Sequence, residues 1–142
     1  AQRFVPAQVT PNGLELVRTS SGRTTYRALH DDPSFVFDVA PFASRDVRVI
    51  RFTMRYEARG ATFAQLYWSH RTGEAFSEDK SLCIPLAGGD GAWREYTVVI
   101  DQSNRRATWD EGAEIRHLRF DPINAAGTVE LVDLRLCAPA TG

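Results

Sequence analysis

The sequence predicts an all-β chain, an antiparallel β-sandwich of jelly-roll type with about eight strands. Three observations carry this. Val47 to Glu57 alternates strictly, with Ile50, Phe52, Met54 and Tyr56 on one face and Arg51, Thr53, Arg55 and Glu57 on the other, the period of a strand with one buried and one wet face. Short runs rich in aromatic and β-branched residues recur along the chain, each bounded by Gly, Pro, Asn or Asp. No segment carries a helical stripe of normal length.

The elements follow in order. Ala1 to Asn12 reads as a lead-in arm, closed by a turn at Asn12-Gly13. Leu14 to Ser20 is a first strand, Ser21-Gly22 a turn, and Thr24 to Leu29 a second strand. His30-Asp31-Asp32-Pro33 is a polar break before Phe35 to Val39, which puts Phe35, Phe37 and Val39 on one face. After Val47 to Glu57, Gly60 turns the chain into the aromatic strand that begins at Phe63. Its residues Gln65-Leu66-Tyr67-Trp68 lead to a loop through Arg71, Gly73 and Glu78, and Ser81 to Leu86 returns.

Gly88-Gly89-Asp90-Gly91 is a flexible turn before Glu95 to Asp101, and Asn104 to Gly112 is the best place for a short helical turn. Ile115 to Asp121 alternates, with Leu118 and Phe120 inward and His117 and Arg119 outward, and Pro122 ends it. Gly127 to Cys137 is the last strand. Its apolar phase shifts between Leu131 and Leu134, which predicts a bulge. Ala138 to Gly142 is a tail.

The 142 residues suit one domain with its own core. The net charge of −1 gives no field to draw nucleic acid or an anionic membrane. No apolar run approaches the roughly 20 residues that cross a bilayer, so no membrane insertion is expected. Lys80 is the only lysine, so the basic side chains are otherwise arginines, which suit carboxylates and planar polar groups. The start at Ala-Gln-Arg, without Met, suggests a processed protein or a domain cut from a longer one. Cys83 and Cys137 fall on separate strands without a CxxC pattern and read as free thiols.

An ordered set of residues carries a family likeness. It comprises Gln65-Leu66-Tyr67-Trp68, Phe76-Ser77-Glu78 with Ser81, Trp93, Trp109, Leu118-Arg119-Phe120-Asp121-Pro122 and a closing strand after Gly127. From about His30 to Leu136 the chain resembles the jelly-roll modules of the galactose-binding-like superfamily, notably those attached to bacterial glycosyltransferases of cell-surface polysaccharide assembly. The resemblance implies a non-catalytic carbohydrate-binding accessory module within a larger enzyme chain, its partner a polysaccharide or oligosaccharide. It implies the cytoplasm if the parent is a glycosyltransferase; the cell surface or secretion is the other setting. A protein-interaction or spacer module without a glycan is the alternative.

A sugar site needs an aromatic surface and a few planar polar groups. If Leu66 and Trp68 face inward, Gln65 and Tyr67 face outward. In a jelly roll this strand lies beside Ile115 to Asp121, so Gln65, Tyr67, His117 and Arg119 form the expected glycan face. The same pattern also suits a plain solvated sheet face. Arg71 and Glu78 on the following loop join the candidates; Glu78 serves either a ligand or the loop's own amides and Ser81. Trp93 and Trp109 are each expected to plug one end of the sandwich, and Asp121 to be a strand-end turn residue.

Nothing in the sequence suggests an enzyme. Glu78-Asp79 and Asp110-Glu111 are adjacent pairs, which do not oppose two carboxylates across a bond. His30, His70 and His117 are scattered, without zinc spacing. Asp31, Asp32 and Asp38 lack an EF-hand pattern and read as solvated loop acids rather than calcium ligands. No cofactor is implied.

Overall fold

The structure is a computed structural model that describes residues 2–4, 10–20, 23–37, 39–112 and 114–139. The strands are β1 (Gln2–Phe4), β2 (Thr10–Asn12), β3 (Leu14–Ser20), β4 (Arg23–Ala28), β5 (Ser34–Phe37), β6 (Phe42–Ala43), β7 (Val49–Glu57), β8 (Phe63–Ser69), β9 (Ser81–Pro85), β10 (Arg94–Val99), β11 (Glu114–Ile115), β12 (His117–Asp121) and β13 (Gly127–Cys137). One short helix, α1 (Arg106–Asp110), lies in the connection expected to hold a helical turn. The Ser21-Gly22 turn, Asp38 and the last three residues of the tail lie outside the described residues.

Two antiparallel sheets form an all-β sandwich of the jelly-roll kind. One has β10-β7-β13-β4-β3 in order, with β1 also on β13; the other has β2-β5-β12-β8-β9. β6 and β11 make a separate two-stranded pair. The expected lead-in arm is thus partly sheet. β1 pairs Leu134–Leu136 of β13, beyond the Gly127–Glu130 stretch held by β4, and β2 pairs β5. Isolated short strands give little sequence signal, and their partners lie more than a hundred residues away for β1 and more than twenty for β2, so the local sequence reads as an arm.

The inner faces meet in one core. Ile50, Phe52, Met54 and Tyr56 of β7 pack with Phe35, Leu66, Trp68, Leu118 and Phe120 of the facing sheet. Ring contacts cross between the sheets, Phe52 on Phe120 at 4.9 Å and Tyr26 on Phe35 at 5.2 Å. Each such buried ring contributes on the order of 2 kcal/mol. In β13, Leu131 pairs Met54 and Asp133 pairs Thr53, which leaves Val132 as an extra residue. This bulge returns Leu134 and Leu136 to the inner face after Val129 and Leu131, as the phase shift predicts. Gly13 takes φ +65° at the expected turn, where its carbonyl accepts from Leu29 N at 2.9 Å; only glycine holds such a backbone without strain.

The two tryptophans differ. Trp109 is fully buried, its Nε1 donating to Ser44 O at 3.0 Å and Val47 O at 3.1 Å, its ring edge-on to Trp68 at 5.1 Å. It closes one end of the sandwich. Trp93 does not: it is half-buried beneath the Arg55 guanidinium, 5.1 Å from its ring centre. A tryptophan ahead of a strand can point to either side of the sheet, and here an arginine from β7 covers it.

Candidate functional site

β8 and β12 lie side by side, with Tyr67 opposite Arg119 and Gln65 opposite Asp121. Strand alternation sends Leu66, Trp68, Leu118 and Phe120 into the core, and Gln65, Tyr67, Arg119 and Asp121 to the outer face. That face is not the open wet surface the pattern suggests. Gln65 is 6% exposed and Tyr67 7%, because the loop after β8 folds back over the sheet. Phe76 sits edge-on to Tyr67 at 6.3 Å. A 3-10 turn, Glu78–Lys80, brings Glu78 above the strand.

Four polar groups lock together there. Gln65 Nε2 donates to Glu78 Oε2 at 2.7 Å and to Ser81 Oγ at 2.9 Å. Tyr67 OH donates to Glu78 Oε1 at 2.9 Å, and Ser81 Oγ donates to Glu78 O at 2.8 Å. Glu78 therefore fixes its loop through Gln65, Tyr67 and Ser81, and as a residue it stays exposed at the rim of the sheet.

Arg119 forms the second half. Its Nε and Nη2 grip both oxygens of Asp121 at 2.8 and 2.9 Å, and Nη2 also reaches Asp32 Oδ1 at 2.8 Å. Its Cζ lies 4.9 Å above the Tyr67 ring. Residues two apart on one strand face are neighbours, which is how Arg119 and Asp121 meet. Asp121 ends β12 rather than turning the chain, and it is buried. Burial, with Asp32 nearby, lifts its carboxyl to about 6 against the opposing pull of Arg119. The Tyr67 hydroxyl is pushed up from its ordinary value, by burial first and then by its bond to Glu78, so it stays a donor.

Between these groups opens a cleft of about 560 Å³, lined by Asp31, Asp32, Phe63, Gln65, Tyr67, Phe76, Ser77, Glu78, Arg119, Asp121, Ile123 and Asn124. Of the six residues singled out in the sequence, Gln65, Tyr67, Glu78 and Arg119 line it. His117, at the start of β12 opposite Ser69 of β8, and Arg71, exposed on the loop, do not. The sequence reads Asp121 as a strand-end turn residue and Asp32 as a solvated loop acid, carries Phe76 only in the family likeness, and does not single out Asn124. The Arg119-x-Asp121 spacing was a readable signal for one of them. Asn124 Oδ1 accepts from Thr62 N at 2.7 Å and Phe63 N at 3.2 Å, contacts across 62 and 61 residues that no local pattern announces. Among the described residues no group of three or more His, Cys, Asp or Glu is placed to hold a metal ion, and no helix is long and apolar enough to cross a membrane.

No family model matches the chain, and no curated protein matches it. Solved structures do. The xylan-binding module CBM86 from Roseburia intestinalis aligns over 97% of this chain and 95% of its own, at 15% identity and a TM-score of 0.54. CsCBM6-3 from Clostridium stercorarium, solved in complex with cellobiose, aligns over 97% and 94%, at 10% identity and a TM-score of 0.62. An arabinoxylan arabinofuranohydrolase of glycoside hydrolase family 43 from Bacillus subtilis matches 97% of this chain with only 27% of its own, at 10% identity and a TM-score of 0.54. At identities this low the likeness establishes the fold: this chain has the jelly-roll sandwich of carbohydrate-binding modules.

Proposed function

We propose that the chain is a non-catalytic glycan-binding module whose ligand lies in the cleft above β8 and β12. One observation carries this: a hydrogen-bonded polar floor stands under an open cleft edged by aromatic rings. Sugars need both, hydroxyl partners that do not reorganise on binding and apolar surface for ring C–H groups. In this reading Glu78, Asp32, Asp121 and Gln65 accept hydroxyl protons, Arg119 orients them, and Phe76 and Tyr67 offer carbon faces. His117, one strand repeat or about 7 Å from Arg119, and Arg71 are proposed as outer contacts for a longer chain.

The similarity to carbohydrate-binding modules supports the reading, and the match within a larger hydrolase supports a place in a larger enzyme chain, at the cell surface or secreted. The glycosyltransferase parent and a cytoplasmic setting rest on the order of sequence elements alone. A docking or spacer role has one observation of its own: Leu16, Val17 and Leu29 are exposed around β3, the last strand of its sheet.

The test is a glycan array followed by NMR titration with the polysaccharides it selects. Binding is expected, with the amide and side-chain signals of Gln65, Tyr67, Glu78 and Arg119 shifting together. No binding across a broad panel would overturn the function. Shifts gathered around Leu16 and Leu29 instead, on addition of the parent's remaining domains, would favour docking.

A further inference from the structure

We infer that the cleft sorts glycans by charge, taking sugars that carry a free amine in preference to neutral ones and rejecting those that carry a carboxylate or sulfate. This rests on the reading of the cleft as a glycan site and names the class of sugar it takes.

The cleft is short of donors. Four carboxyl side chains line it, Asp31, Asp32, Glu78 and Asp121, against the single cation Arg119. That cation is already committed, bidentate to Asp121 and bonded to Asp32. Glu78 is met only by neutral donors, Gln65 and Tyr67, and no cation among the described residues pairs with it. Gln65 adds to the surplus. It is nine-tenths buried on the cleft floor, and its Nε2 is used twice, by Glu78 and Ser81, so its Oε1 is left as an acceptor without a protein donor among the described residues.

With Asp121 counted as neutral, three carboxylates still face one guanidinium. A ligand that completes this site must bring hydrogens and positive charge. A hydroxyl brings one donor; a protonated hexosamine amine brings three with a full charge. A uronate or sulfate brings acceptors and a like charge, and would have to take Arg119 from its aspartates. Two uncompensated charges within several Å, in the dielectric of a cleft wall, change affinity by about tenfold at low ionic strength and by a few-fold at physiological salt.

The experiment compares three short oligosaccharides on the intact chain: glucosamine, its N-acetylated counterpart, and galacturonate. Calorimetry gives affinity below the amine's pKa at low and high salt, and NMR shifts locate the contact. The glucosamine oligomer is expected to bind about tenfold more tightly than the acetylated one at low salt, with the gap closing as salt rises, and to shift Gln65, Tyr67 and Glu78; the galacturonate is expected to bind weakest. Equal affinity for the acetylated and free-amine oligomers, or any preference for galacturonate, overturns the inference while leaving a glycan site standing. An amine preference whose shifts lie away from the cleft overturns it too. If no oligosaccharide binds here and the broad panel also fails, both this inference and the proposed function fall.

Discussion

Two clusters in this molecule are built from the same parts, an arginine held between two aspartates, and they do different things. At the end of the sandwich Arg48 donates to Asp110 Oδ1 at 2.5 Å, to Asp101 and to Ser44 O at 3.3 Å. In the cleft Arg119 donates to Asp121 and Asp32. Arg106 stands 3.3 Å from Asp101, so two cations meet two carboxylates at the first cluster. The second has one cation and a surplus of acid. At the first the carboxylates are partly exposed and Arg48's hydrogen bonds hold both below the usual range. At the second Asp121 is buried, and burial outweighs the guanidinium. A balanced pair open to water on its acid side fastens the chain to itself. In the proposed reading, the unbalanced, desolvated pair on the cleft wall is the one that meets a ligand.

The sharpest way to break the contrast is Arg48→Met. Arg48 is itself buried and ties together the turn at Ser44, the 3-10 turn after β10 and helix α1; its own N donates to Cys137 O at 3.0 Å and its O accepts from Ile100 N at 2.9 Å. Removing the guanidinium leaves two aspartates facing each other with only Arg106 between. We expect a loss of about 2 kcal/mol in urea unfolding, between the ranges for exposed and buried pairs because the carboxylates left behind keep contact with water, with glycan affinity unchanged. A loss below about 0.5 kcal/mol would place Arg48 among ordinary surface pairs.

The next effect is smaller and depends on pH. The Asp121 carboxyl sits at about 6 in the folded chain against an ordinary 3.8. The folded state therefore binds this proton more tightly than the unfolded chain. The stabilisation is complete below pH 3.8 and is lost as pH rises through 6. Linkage sets a ceiling of roughly 3 kcal/mol, and on the wall of an open cleft we expect about 1 kcal/mol of it. In Asp121→Asn this dependence should vanish, so the variant gains on the native chain as pH rises through that window. Asp110→Asn should show the reverse sign: Asp110 is held low by Arg48, and its contribution is lost as pH falls through its folded value. Unfolding measured across pH for both variants decides it. The same sign for the two would remove the distinction between the clusters.

How much of this was legible beforehand divides along the same line. The layers were readable, because alternation over β7 and β12 is a local record of which side chains meet the core, and the pairing of β8 with β12 followed from the jelly-roll order. The bulge in β13 was readable for the same reason. What alternation cannot record is a roof. Alternation sends Gln65 and Tyr67 to an open face, and it is the fold of the loop from Arg71 to Lys80, fixed by Glu78, that covers them. Asp32 and Asn124 reach their partners across 87 and 62 residues, so nothing near them in sequence marks them as part of the site. The pairing of β1 was hidden likewise, since its strand partner lies at the other end of the chain.

The smallest expected effect tests that roof directly. Tyr67→Phe removes one hydroxyl and leaves the ring under Phe76 and Arg119. The lost bond to Glu78 Oε1 is worth about 1 kcal/mol, and Glu78→Gln in the same background should cost less than it does alone, because the two groups share that bond. If the roof pre-orders Glu78 for a ligand, the Phe variant should also bind glycan a few-fold more weakly, with the signals of the 71–80 loop broadened before ligand is added. If Glu78 only fastens the loop, stability falls by the same amount and affinity does not change. The coupling therefore measures the fastening, and the affinity measures the function, on a single pair of side chains.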